Sequence, residues 1–387
     1  MRQRRAERPT GDLPLLDRRQ AERRQVPQRP KWPWWRRDLY SRSFEMRWSA
    51  RLALAWVTAL VVAWIGQAFL SERLLPFTVL LYGPRFLLLT PFGLLLPLTL
   101  LFARRWFLLL VGSLGVLLGP LMGGRVHLAT LRQSSPPMAR DARSLRVLTL
   151  NAEGGAVVVQ QLGVLFESYR PDVLAFQECG PELGEALAQL KGWSTQSWQS
   201  LCVASRWPIT AMDTMPRATF SRVSELGFGG AGLVMRTRVA HPEGPLDLVT
   251  VHLETARKGL EWMLADVPPE LAAPDLNARI RTMESERTAV WAGVRARDVA
   301  TIITGDFNLP VESRIYRDHW TGYDNAFEEV GTGFGFTKHE GRWLHIRIDH
   351  VLTAPDAFDV LGAWVGMPVG SDHRPVIADL KRRPRPS

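Results

Sequence analysis

ATIITGDFN, residues 300–308, is a short apolar run, rich in β-branched residues, cut off by Gly, Asp, Phe and Asn. Such a run bounded by turn formers reads as a buried strand. The polar residues that end it fall where open α/β sheets carry their sites. Outward from this stretch the same texture recurs. Leu145–Leu150 is a strand ended by Asn151, and Asp172–Gln177 is a strand ended by Glu178. Leu246–Leu253 holds His252 near its end, and Ile346–Leu352 contains Asp349 and His350. Pro375–Leu380 follows Ser371-Asp372-His373, and Leu201–Arg206 reads as a further strand. Val157–Tyr169 and Asn277–Arg297 have helical spacing. Strands with intervening helices over about 245 residues define an α/β domain.

The residues at those strand ends suit one chemistry. Glu178, with Asn151 and Asp372, offers hard oxygen ligands, which fit Mg²⁺ or Mn²⁺ better than zinc. Asp306 can orient or deprotonate water. Asn308 and His252 can donate hydrogen bonds to phosphate oxygens, and His373 with a carboxylate partner makes an oriented base or cationic clamp. Phosphoester hydrolysis needs this combination of an in-line nucleophile, charge neutralisation and leaving-group assistance.

LRVLTLN ending at Asn151, PDVLAFQE ending at Glu178, TVHL around His252, GDFN at 305–308, RIDHV at 347–351 and SDHRPV at 371–376 occur in that order. This set resembles the endonuclease/exonuclease/phosphatase superfamily, and the resemblance covers residues 145–380. It implies a DNase I-like four-layer sandwich, with two packed mixed sheets flanked by helices. By the same resemblance, Glu178 is the principal metal ligand with Asn151 beside it. Asp306 positions the attacking water, Asn308 and His252 contact the phosphate, and Asp349 orients the catalytic His373. Asp372 is a neighbouring acid near a second metal position. Nucleic acid, lipid headgroups and small phosphodiesters all remain open as substrates, and a catalytically silent phosphate-binding domain is the competing reading.

The N-terminal third differs. Residues 52–70 carry no charge over a length close to the ~20 residues that cross a bilayer; Phe86–Phe102 and Trp106–Gly124 are also uncharged. Three transmembrane helices are therefore expected in 52–124. The stretch Leu74–Pro84 is too short to span and belongs at the interface or as an extension of the second span. A basic arm, 1–51, precedes them and is expected to be disordered. A polar linker follows at 125–144, and a basic tail closes the chain at 381–387. Three spans before such a domain also resemble bacterial membrane-anchored members of the superfamily.

Charge follows this division. Residues 1–51 hold 15 Lys/Arg against 6 Asp/Glu, whereas 143–387 hold 26 against 30. The overall charge of +10 therefore says nothing about attraction of the catalytic part to a polyanion. The arginines before Leu52 and at Arg104–Arg105 are expected on the cytoplasmic side. This orientation places the domain outside the cytoplasm of a bacterial inner membrane. The expected partners are the bilayer and a phosphate ester, with no protein partner. The two cysteines, Cys179 and Cys202, lack metal-ligand spacing and read as half-buried thiols; a disulfide is geometrically open if their Cα atoms approach.

Overall fold

The computed structural model describes residues 32–127, 144–216, 232–261, 274–296 and 298–384. Fourteen strands are present among these, in two six-stranded sheets and one hairpin. The first sheet contains β1 (Ser144–Asn151), β2 (Val173–Gln177), β3 (Ser194–Trp198), β4 (Leu201–Ser205), β13 (Phe358–Val365) and β14 (Val376–Arg382), in the order β13-β14-β1-β2-β4-β3. The second contains β5 (Ile209–Thr214), β6 (Leu233–Val239), β7 (Leu246–His252), β8 (Ala300–Asp306), β9 (Asp324–Asn325) and β12 (Asp349–Thr353), in the order β5-β6-β7-β8-β12-β9. The hairpin pairs β10 (Lys338–Glu340) with β11 (Leu344–Ile346).

Each sheet has one parallel pair at its centre, β1 with β2 and β7 with β8, and antiparallel neighbours elsewhere. The central strands are buried on both faces, which is why they read as continuous apolar runs. Leu145 and Val147 of β1 meet Leu246, Leu248 and Ile302 between the sheets. On the opposite face Leu148 and Leu150 pack with Val158 and Leu165 of the Ala156–Tyr169 helix. The second sheet repeats this, placing Val249, Val251 and Ile303 against Ile280 and Ala292 of the Pro274–Ala296 helix. The result is the expected four-layer sandwich.

Two strand expectations shift. Ile346–Leu352 is not one strand, because the chain breaks at Arg347–Ile348 between β11 and β12. There the amides of Ile348 and Asp349 donate to the Thr337 hydroxyl, and the Ile348 carbonyl accepts from Phe307 N–H. The last strand reaches Arg382, into the expected basic tail.

Three helical segments, Phe44–Leu70, Arg85–Phe102 and Arg104–Leu121, are long and apolar enough to cross a membrane. The first begins at Phe44, ahead of the apolar run, with Ser43 accepting from Met46 N–H as its cap. Small residues face the bundle core, Ala50 and Ala53 among them, while Phe69, Leu94, Leu101 and Leu108 are each about two-thirds or more exposed. An outward apolar face of this kind suits lipid contact. Residues 1–31 of the expected arm, and 128–143 of the expected linker, lie outside the described residues. At the linker's start Arg125 bridges to Gly333, and His127 Nδ1 lies 2.6 Å from the Gly331 carbonyl.

The apolar helical segment is docked on the domain, not merely joined to it. Glu72 accepts from the Ser313 hydroxyl at 2.5 Å and from Arg314 N–H at 3.2 Å. Arg85 pairs with Glu312 at 3.3 Å and donates to the Leu121 carbonyl at 2.7 Å.

Cys179 and Cys202 are joined in a disulfide, with their Cα atoms 5.9 Å apart. This corrects the reading of two half-buried thiols. β2 and β4 are adjacent, with Phe176 opposite Cys202, so the two side chains meet although 23 positions separate them in sequence.

A buried ion pair links two interior strands of the first sheet. Arg146 of β1 donates through Nε and Nη2 to both oxygens of Asp379 in β14, each at 2.6 Å, and through Nη1 to the Tyr169 carbonyl. Removing one partner leaves a buried charge uncompensated, at a cost of about 3–5 kcal/mol. Asp379→Ala should lower the thermal midpoint of the full-length protein by about 10 °C. Loss of the exposed Arg383 pairs with Asp356 and Asp359 should leave that midpoint unchanged within error.

Candidate active site

The ends of β1, β2, β7, β8 and β12, with the loop before β14, deliver the polar residues to one place. Asp306 is its hub. It is buried, and its Oδ2 accepts from Asn151 Nδ2 at 3.0 Å and lies 3.8 Å from both His252 Nε2 and His373 Nε2. The same Asn151 nitrogen donates to Glu178 Oε1 at 3.0 Å, and His252 Nε2 lies 3.7 Å from that oxygen. Asp349 Oδ2 accepts from His373 Nδ1 at 2.8 Å. Oxygens of Asp306 and Asp349 and a nitrogen of His373 lie within 4.8 Å of one another. Asn308 turns its own N–H onto Asp306 Oδ1 at 2.8 Å and its side-chain amide onto the Leu253 carbonyl at 2.8 Å.

Backbone geometry is fitted to this convergence. Glu178 has φ +49° and Asn308 φ +51°, left-handed conformations that non-glycine residues adopt at some cost and that cluster at functional sites. Gly305 has φ +139°, and a Cβ there would meet the Val251 carbonyl oxygen at 2.0 Å. Only glycine lets β7 approach closely enough to bring His252 opposite Asp306.

Charge is concentrated here. Burial and the neighbouring Asp349 carboxylate push the Asp306 carboxyl up, while His373, His252 and the Asn151 hydrogen bond pull it back. Burial works against a charged His373, but the Asp349 and Asp306 carboxylates outweigh it and raise the imidazole to about 9.

All eight expected residues lie in this region, but not equivalently. Asn151, Glu178, His252, Asp306, Asn308 and His373 line one cavity of about 430 Å³. Asp349 sits behind His373. Asp372 stands at the edge, ion-paired with Lys338, and its Oδ1 is 3.8 Å from His373 Nε2. The donor set fits a hard cation. Glu178 is partly open to the cavity, and Asp306 Oδ2 faces it from the other side of Asn151. Asp349 Oδ1 is buried with no hydrogen-bond partner. Oxygen donors outnumber nitrogens and no thiolate is near, which is the chemistry of a magnesium or manganese site.

Sequence reasoning missed two groups. Lys338 reaches the site from the β10 hairpin strand, whose weak pattern gives no signal. Tyr82 comes from the Leu75–Tyr82 helix of the anchor and lines the same cavity; nothing in an apolar interfacial stretch announces a role in a site.

A mixed-sheet α/β sandwich with carboxylates and imidazoles gathered at its strand ends is the class that fold and site define. The sequence profile of the endonuclease/exonuclease/phosphatase family matches residues 148–373, and the chain belongs to that family. No match was found among curated proteins. Among solved structures, the chain is similar to humanized D. rerio TDP2 at 15% identity and TM-score 0.48, over 62% of this chain and 99% of that one. It is also similar to an endonuclease/exonuclease/phosphatase from Beutenbergia cavernae (19%, TM-score 0.44, 62% and 72%). A third is the 3' phosphatase NExo from Neisseria bound to product DNA hairpin (18%, TM-score 0.43, 60% and 98%).

His350, next to Asp349, points away from the cavity. Its Nε2 donates to the Leu309 carbonyl at 2.8 Å and its Nδ1 faces Asn325 Nδ2 at 3.3 Å. Burial depresses it to about 4, so the folded protein excludes a proton that the unfolded chain binds below about 6.5. Stability is therefore full above pH 6.5 and falls as pH drops toward 4. His350→Asn should remove up to about 3 kcal/mol of that decline, read as a flatter dependence of thermal midpoint on pH between 7 and 4.

Proposed function

We propose that the chain is a membrane-anchored, divalent-metal-dependent phosphoesterase whose catalytic domain faces away from the cytoplasm. The observation that carries the chemistry is the position of Asp306 Oδ2, which shares Asn151 with Glu178 and stands 3.8 Å from two imidazoles. One acid is thus held between a cation-binding carboxylate and two phosphate-directed histidines. The intact set favours catalysis over silent phosphate binding.

Glu178 and Asn151 would hold Mg²⁺ or Mn²⁺, with Asp372 withheld by Lys338 as an outlying acid. What the cation supplies when bound is neutralisation of charge on the phosphate and on the leaving oxygen. The remaining work belongs to the chain. Asp306 orients a water and takes its proton as the oxygen bonds to phosphorus. Asn308 and His252 direct donors at the non-bridging oxygens, and Asn308 keeps its second amide hydrogen for this after bonding Leu253. His373, held by Asp349, presents Nε2 as a cationic donor to the phosphate.

Two observations support the orientation. The arginines lie before the first span and between the second and third, the distribution expected of cytoplasmic segments. The Cys179–Cys202 disulfide suits an oxidising compartment.

Full-length protein in detergent should hydrolyse bis-(p-nitrophenyl) phosphate with Mg²⁺ or Mn²⁺ and stop when EDTA is added. Asp306→Ala and His373→Ala should each lower turnover at least ~100-fold, the scale of a removed acid–base group; near wild-type rates in both would sink the assigned roles. Alkaline phosphatase fused after Ser387 should be active, whereas a fluorescent cytoplasmic reporter at the same position would reverse the orientation and leave the chemistry standing.

A further inference from the structure

The active-site cavity is not built by the catalytic domain alone. Tyr82 forms part of its wall, and the Tyr82 hydroxyl is fixed by Glu72 at 3.1 Å and by the buried Arg281. Glu72 is the same carboxylate that bonds Ser313 and Arg314. The anchor therefore reaches the reacting centre through a rigid polar clasp.

Part of the remaining wall is apolar. Leu260, Leu344, Ile346 and Ile348 line the cavity opposite the cluster of Glu178, Asp306, His252 and His373. Next to Leu344, the exposed Trp343 stacks on Phe86, with ring centroids 5.5 Å apart. Phe86 belongs to the Arg85–Phe102 span. The hydrocarbon side of the cavity is thus continuous, through Trp343 and Tyr82, with the end of the helices that meets one face of the bilayer.

Cationic character is poor by contrast. Three cations line the cavity: Lys258 faces Glu254 at 3.2 Å, Lys338 faces Asp372, and Arg257 stands exposed at the rim. A nucleic acid strand needs a cationic track along its backbone, and this cavity supplies a polar floor with a greasy wall.

We propose that the substrate is a phosphoester carrying hydrocarbon chains, drawn from the bilayer leaflet at the level of Tyr82. The proposal rests on the phosphoesterase reading and names the substrate class for that site. The phosphate lies over Glu178 and Asp306, and the chain lies along Leu260, Leu344 and Ile346. A water oxygen bonds to phosphorus as Asp306 takes one of its protons, one P–O ester bond breaks, and the released oxygen takes a proton from His373 Nε2 and leaves as an alcohol. Passage of the Asp306 proton to His373, 3.8 Å away, restores both groups. The products are that alcohol and a phosphate with one ester fewer.

The test uses full-length protein in nanodiscs with Mg²⁺ and a series of p-nitrophenyl alkyl phosphates from methyl to octyl. The read-out is the octyl-to-methyl ratio of kcat/KM in wild type divided by the same ratio in Leu260→Ser/Leu344→Ser, which cancels partition into the disc. We expect a wild-type ratio at least ~10-fold above the variant's, well within the roughly fourfold per methylene that full burial allows. Equal ratios with all esters hydrolysed overturn the lipid assignment and leave the phosphoesterase reading intact. Hydrolysis of no ester in either Mg²⁺ or Mn²⁺ overturns both.

Discussion

Asp306 and Asp349 face one another directly across the β8–β12 ladder, both buried, in a position where two carboxylates repel. Register alone would make this pair destabilising. It is tolerated because groups from the other sheet and its loops come to meet it: His373 bonds Asp349, and Asn151 bonds Asp306. The contacts that balance the charge therefore also stitch the two sheets together along their ends. Architecture and site share this one electrostatic constraint, and the positive φ of Glu178 and Asn308 is local strain held in place by it.

The same balance explains why a cation belongs here. The cluster sets the His373 imidazole against Asp349 and an amide nitrogen between Glu178 and Asp306. A hard ion near Glu178 would take over part of that compensation in the proposed reaction. His373 would then be available to work on substrate while Asp349 keeps its orientation. Asp349 Oδ1 and His252 Nδ1 are buried without a hydrogen-bond partner.

The three apolar helices are tied to the domain by polar contacts. Glu72, Arg85 and Arg125 tie them to Ser313, Glu312 and Glu328, and Tyr82 extends the contact to the cavity. The Arg85–Glu312 pair is largely withdrawn from water, so separating the two parts would strand buried ions. These contacts hold the apolar helices against the domain.

The sequence by itself determined the elements and the identities of the polar residues. Doubly buried strands must be continuously apolar, so their polar ends at Asn151, Glu178, His252 and Asp306 are conspicuous, and uncharged runs of bilayer length mark the three helices long and apolar enough to cross a membrane. What it did not determine was adjacency. The Cys179–Cys202 bond depends on β2 and β4 being neighbours, the inertness of His350 depends on which way its strand faces, and the break at Arg347–Ile348 depends on Thr337 arriving from the hairpin. Tyr82 in the active-site wall is the extreme case. Its place is fixed by Arg281, 199 residues away, and contacts at such separation are decided by packing of whole elements, which leaves no mark in the local pattern of either segment.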